Sequence, residues 1–138
     1  RLKEKSIKSK NIFFTGWIDK NKINSLLKIS DIGILPYKNI SNYKKNLPNK
    51  PAEYLSNNLA ILLSLDSGPI FNILKENNCG FSYFNSSKEL VNSIIKYLDN
   101  QDLLQAHKKN SLKAFQSNLN GKIIYENLIN SLEIISQN

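Results

Sequence analysis

A chain of 138 residues is long enough for one domain with a hydrophobic core and too short for two of ordinary size. Its 41% hydrophobic and 22% charged residues give the balance of a folded globular protein, and its longest apolar run, Leu59 to Leu65, is broken by Ser64 and falls far short of the roughly 20 residues that span a bilayer. The net charge of +8 draws anions, whether nucleic acid, an anionic membrane or a phosphorylated ligand, but the lysines are scattered among Asn, Ile and Ser, as compositional bias would place them.

The chain opens on Arg1, and Lys3, Lys5, Lys8 and Lys10 are followed by no apolar core of the signal-peptide kind. The expectation is a single domain over residues 1–138 taken from a longer protein and cut at its N-terminal side. Asn11 to Thr15 is β-branched and aromatic, stops at Gly16, and reads as a buried strand. Asp19 offers an N-cap, and Ile23, Leu26, Leu27 and Ile29 follow at helical spacing to about Ser30. Ile32 to Leu35 reads as a second buried strand, closed by Pro36, which cannot donate to a central ladder. Tyr37 to Pro48, rich in Asn, Lys and Ser, reads as an exposed loop.

A helix is expected from Asn49, Lys50 and Pro51 to Asn57-Asn58, with Asn49 or Lys50 as its cap. Leu59 to Ser64 is the third strand. Ser67-Gly68-Pro69 precedes a helix carrying Ile70, Ile73 and Leu74, and Cys79-Gly80 stops it before a short fourth strand, Phe81 to Phe84. Cys79, the lone cysteine, has no thiol or histidine neighbour for a disulfide or a metal and reads as a buried small apolar residue. Ser86 and Glu89 have capping-box spacing ahead of Leu90, Val91, Ile94, Ile95 and Leu98. Two more helices follow, one through Leu103, Leu104, Leu112 and Phe115, the other from Leu119 to Ile135; His107 has no acidic or thiol neighbour and reads as a solvated helix residue. Strands alternating with helices predict α/β architecture, a doubly wound parallel sheet with a helical C-terminus, binding at the carboxyl ends of its strands.

Chemistry concentrates between Asp31 and Leu65. The first turn of a helix at Pro48-Asn49-Lys50-Pro51 presents free N–H groups and a partial positive charge suited to a diphosphate, and Lys50 adds a cation. Glu53, one turn further on, has acceptors for ribose hydroxyls; on spacing alone it equally serves the helix dipole. Trp17, after Gly16, is either a flat surface for a base or sugar or a core or rim aromatic. Walker, zincin, nucleophile-elbow and dinucleotide-binding signatures do not occur.

Ile12-Phe13-Phe14-Thr15-Gly16, then Leu26 through Tyr37, then Asn49-Lys50-Pro51-Ala52-Glu53-Tyr54-Leu55, then Gly80, in this order and spacing, resemble the C-terminal domain of retaining glycosyltransferases of the two-domain GT-B type, the family-four group. The resemblance implies a Rossmann-like half of a GT-B fold that binds a nucleotide-diphosphate sugar, with Glu53 on the ribose and Pro48, Asn49 and Lys50 at the phosphates. Tyr37, Gly16, Trp17 and Gly68 complete the implied donor site. It further implies a hexosyltransferase of polysaccharide or glycolipid biosynthesis, working in the cytoplasm with contact at the inner face of the membrane left open. Its partners would be a nucleotide sugar, a saccharide or lipid-linked acceptor and a missing N-terminal domain, with no nucleic acid, no metal and no cofactor. No catalytic residue is assigned within this chain. Two departures stand out. The family's first site glutamate falls at Lys45, and its cationic Arg and Lys belong ahead of Asn11, so the fragment alone is expected to be inactive. The alternatives are a basic nucleic-acid-binding module, resting on the charge with Tyr37, Tyr43 and Tyr54, and a sugar-nucleotide epimerase of the same architecture.

Overall fold

The computed structural model describes residues 9–136; Lys3, Lys5 and Lys8 of the basic opening lie outside them. The order is α1 (Lys20–Lys28), β1 (Ile32–Leu35), α2 (Ser41–Lys45), α3 (Asn49–Ser56), β2 (Ala60–Leu63), α4 (Pro69–Asn77), β3 (Gly80–Ser82), α5 (Ser87–Asp99), α6 (Gln101–Asn118) and α7 (Gly121–Ser136). The three strands pair in parallel in the order β1-β2-β3, with Ile32 opposite Ala60, and Ile61 opposite Gly80.

β2 explains the architecture. All four of its residues are inaccessible, Ile61 and Leu63 entering one cluster with Leu35, Leu55, Ile70 and Leu74, and Ala60 and Leu62 entering another with Tyr83, Tyr97 and Leu104. A strand buried on both faces needs helices on both, as in a doubly wound sheet. The expected fold class therefore holds: α/β, parallel, Rossmann-like, with a helical C-terminus.

The helices start where their caps allow. Asp19 accepts from the Lys22 N–H at 2.9 Å and begins α1; Asn100 accepts from Leu103 N–H at 2.9 Å and begins α6. Ser86 Oγ accepts from Glu89 N–H at 3.2 Å, but the capping box is only half made, because the Ser86 N–H donates to the Tyr83 carbonyl and the Glu89 carboxylate takes Asn92 instead.

Six expectations are corrected. Asn11 to Thr15 is not a strand and not buried: the segment has no regular secondary structure, and Ile12, Phe13 and Phe14 are exposed. Apolar content alone does not place a run in the sheet, whose three strands are β1, β2 and β3. The Tyr37–Pro48 loop contains the short helix α2, and the cap of α3 is Pro48, one residue earlier than expected. Gly80 does not stop α4; Asn78, in the left-handed conformation at φ 49°, ends it, and Gly80 belongs to β3. The buried stripe of α5 runs through Ser93 and Tyr97, leaving Val91, Ile95 and Leu98 exposed.

His107 is the sixth. It is 1% exposed, with Nδ1 2.8 Å from the Tyr97 hydroxyl and its ring edge-on to Phe81. It joins Leu104, Ser111 and Ala114 on the buried stripe of α6, a stripe hidden from a hydropathy reading by its two polar members. Burial pushes the His107 imidazolium pKa below its ordinary value of about 6.5, so the folded chain takes up this proton less readily than the unfolded one. Stability should then be intact above about pH 6.5, fall as the pH drops below it, and level off beneath the folded-state pKa. Urea midpoints at pH 7.5 and 5.5 test this; His107→Gln should flatten the difference.

α6 also seals one end of the sheet. Lys108 Nζ meets Asp31 Oδ1 at 2.7 Å beside the start of β1, while Asn110 and Ser111 donate to the carbonyls of Asn78 and Cys79 beside the start of β3. The amino ends of the strands are thus closed, and the carboxyl ends remain for a site. Burial raises the Cys79 thiol pKa to about 11, consistent with a structural residue. Among the described residues no helix is long and apolar enough to cross a membrane.

Candidate functional site

α3 carries the polar side of the site. Its N-cap, Pro48, supplies no side-chain acceptor and Pro51 has no N–H, so the N–H groups of Asn49 and Lys50 begin the helix without intrahelical partners. Pro51 and Leu55 anchor the inner face in the core. That leaves Lys50, Glu53 and Tyr54, spaced i, i+3 and i+4, together on another face.

Opposite this face stand α1 and the turn that precedes it. Thr15, Gly16, Trp17 and Ile18, with Ile23, Leu26 and Leu27 of α1, close a cleft of about 350 Å³ against Lys50, Glu53 and Tyr54. That volume lies at the lower end of the range for small-molecule sites, about 300–1,000 Å³. Gly16 makes the turn at φ 66°, a conformation that costs a Cβ-bearing residue. Trp17 beyond it is 95% exposed, so it is not a core aromatic.

The electrostatics are simple. Neither the Glu53 carboxylate nor the Lys50 ammonium has a hydrogen bond or ion pair among the described residues, so both stay available to a ligand. An ionised carboxylate only accepts, and an ammonium only donates. The cleft therefore offers an apolar wall, one acceptor for hydroxyls, and one cation beside free N–H groups.

Of the residues singled out by sequence, Gly16, Trp17, Lys50 and Glu53 line this cleft, and Pro48 and Asn49 adjoin it at the head of α3. Tyr37 and Gly68 do not line it. Tyr37 stacks on Tyr43 at 5.3 Å, with its hydroxyl buried and its phenol pKa raised by that burial; Gly68, at φ 101°, packs against the Lys44 carbonyl. The loops after Ser64 and Phe84 also stay outside it.

Tyr54 was missed, although its helical spacing from Lys50 was the available signal. Its ring lies over Gly33 of β1, where an added Cβ would overlap it. Gly33→Ala should consequently lower stability by about 1–3 kcal/mol in urea unfolding, the range for overpacking, as Tyr54 is driven toward the cleft.

Among the described residues no group of three or more His, Cys, Asp or Glu side chains is placed to hold a metal ion. Fold and cleft together define a Rossmann-like α/β unit, closed at the amino ends of its strands and hollowed beside the head of α3. The sequence profile described as glycosyl transferases group 1 matches residues 1–114, and the chain belongs to this family, a GT-B glycosyltransferase domain whose chemistry is glycosyl transfer. No curated protein and no solved structure matched the chain. α7 lies beyond the matched residues.

Proposed function

We propose that the cleft binds the nucleotide of a nucleoside-diphosphate sugar, and that the full protein moves a hexose from a UDP-, GDP- or ADP-sugar to a saccharide or lipid-linked acceptor with retention of configuration. The observation that carries this reading is the meeting of Gly16 and Trp17 with Lys50 and Glu53 around one cleft. Trp17 and the apolar wall suit a base, which needs a flat, desolvated surface. Glu53 suits the ribose hydroxyls. Asn49 and Lys50 suit the diphosphate, through helix N–H groups and an ammonium.

This chain is the donor-binding, C-terminal half in our reading. A leaving diphosphate gathers negative charge, and its stabilisation by preorganised cations is usually the largest catalytic contribution. Lys50 is the one cation lining this cleft among the described residues. The resemblance places the family's additional Arg and Lys pair ahead of Asn11. We therefore place binding here and turnover in the complete enzyme, working at the cytoplasmic side of a membrane or free in the cytoplasm, without a metal.

Calorimetric titration of the 138-residue chain with UDP, GDP and ADP tests the reading. Saturable heat with at least one of them is expected. No heat with any, alongside single-stranded DNA binding that weakens steeply with salt, would overturn it for a nucleic-acid module. Product analysis on the intact enzyme separates transfer from epimerisation, which consumes no acceptor.

A further inference from the structure

The strap joining β1 to α3 is tied down by a side chain outside the cleft. Asp66 follows the end of β2, and its Oδ1 lies 2.8 Å from Lys44 Nζ, while Asn39 Nδ2 donates to Oδ2 at 3.0 Å and Ser67 Oγ donates to Oδ1 at 3.0 Å. Two of those three donors belong to the strap. The main chain follows suit: the Lys44 carbonyl occupies the space a Cβ would need on Gly68, and Ser64 Oγ donates to the Tyr37 carbonyl at the strap's beginning. Tyr43 of α2 stacks on Tyr37, tilted by only 20°. The hydrogen bond from Lys44, with those from Asn39 and Ser67, holds the Asp66 carboxyl far below the usual carboxylate range, so the contact persists well into acid.

The strap ends at Pro48, the residue that caps α3 and leads directly into Asn49 and Lys50. We propose that Asp66 is a positioning residue: by latching Lys44 and Asn39 onto the β2–α4 turn it holds the strap in one conformation and so fixes the head of α3, and with it the anion end of the cleft. This rests on the nucleotide-binding reading given above. A single exposed ion pair contributes little by itself. One carboxylate gathering three donors, over a backbone approach that only glycine permits, is a stronger pin. A strap already ordered spares the ligand the entropy of ordering it.

Trypsin reads the strap directly, because Lys38 and Lys45 stand within it. In the full 138-residue chain, Asp66→Asn should speed cleavage after Lys38 and Lys45 on the order of ten-fold, while cleavage after Lys96 and Lys113, inside α5 and α6, keeps its wild-type rate. Lys44→Gln should do the same without touching the β2–α4 turn, and Asp66→Glu should restore protection. The dissociation constant for UDP, or for whichever of UDP, GDP and ADP binds, should rise about three- to ten-fold in both latch-breaking variants. Strap cleavage at the wild-type rate in Asp66→Asn and Lys44→Gln overturns the latch. Faster strap cleavage with unchanged nucleotide affinity overturns the positioning role. A wild-type chain that binds no nucleotide sinks the reading of the cleft and the positioning role with it, while strap cleavage still decides the latch.

Discussion

Glu53→Ala should raise the dissociation constant for the bound nucleoside diphosphate by roughly 10- to 150-fold, which corresponds to about 1.5–3 kcal/mol, the range for hydrogen bonds to a charged group. The carboxylate is exposed and has no partner among the described residues, so removing it takes nothing from the fold. What Ser56 and Asn57 use is the Glu53 main-chain carbonyl, which the substitution keeps. Unfolding midpoints should therefore match wild type while calorimetry shows the loss. An unchanged dissociation constant would take Glu53 out of the site.

The second large effect concerns stability. Gly80→Ala should lower it by about 3 kcal/mol, toward the top of the usual overpacking range, because the new Cβ would overlap the main-chain carbonyl of Ile61 rather than a side chain free to swing aside. Ile61 sits opposite Gly80 in the ladder and is wholly buried in the central strand, so the clash can be relieved only by separating β2 from β3. For a chain of this length that corresponds to a fall in thermal midpoint of roughly 10 °C. Nucleotide affinity measured well below the midpoint should be unchanged, since β3 stands at the far edge of the sheet from the cleft. A midpoint within about 2 °C of wild type would mean that the β2–β3 spacing is not as tight as described.

How far the sequence could be read depended on which interaction governed each segment. Ile32 to Leu35 and Asn49 to Ser56 were legible because local signals, a closing proline and a helix-opening Pro-Asn-Lys-Pro run, agree with their tertiary setting. Asn11 to Thr15 misled because apolar content reports a tendency to burial, whereas Ile12, Phe13 and Phe14 stay exposed. His107 misled in the opposite sense: a polar residue enters a core when a partner such as the Tyr97 hydroxyl receives it, and that partner lies on another helix. In the site, Lys50 and Glu53 could be found from their place at the head of one helix. On the facing wall Gly16 and Trp17 were also found, but Ile23, Leu26 and Leu27 were not, because nothing local in α1 shows that it faces α3. The strap's latch was hidden because Asp66 and Lys44 are separated in sequence by α3 and β2.

The two sides of the cleft differ in how freely they can change. Lys50, Glu53 and Tyr54 share a short helix with Pro51 and Leu55, which are locked into the core, so few alternatives at that helix keep both fold and ligand. Ile23 and Leu26 belong to neither core cluster and are 38% and 41% exposed. Substitution there costs the fold little. If the cleft binds a nucleotide as proposed, selectivity among uracil, guanine and adenine can drift through α1 over evolutionary time while the contacts of α3 are inherited intact, and the same two positions are where a laboratory library should be built to retune donor choice.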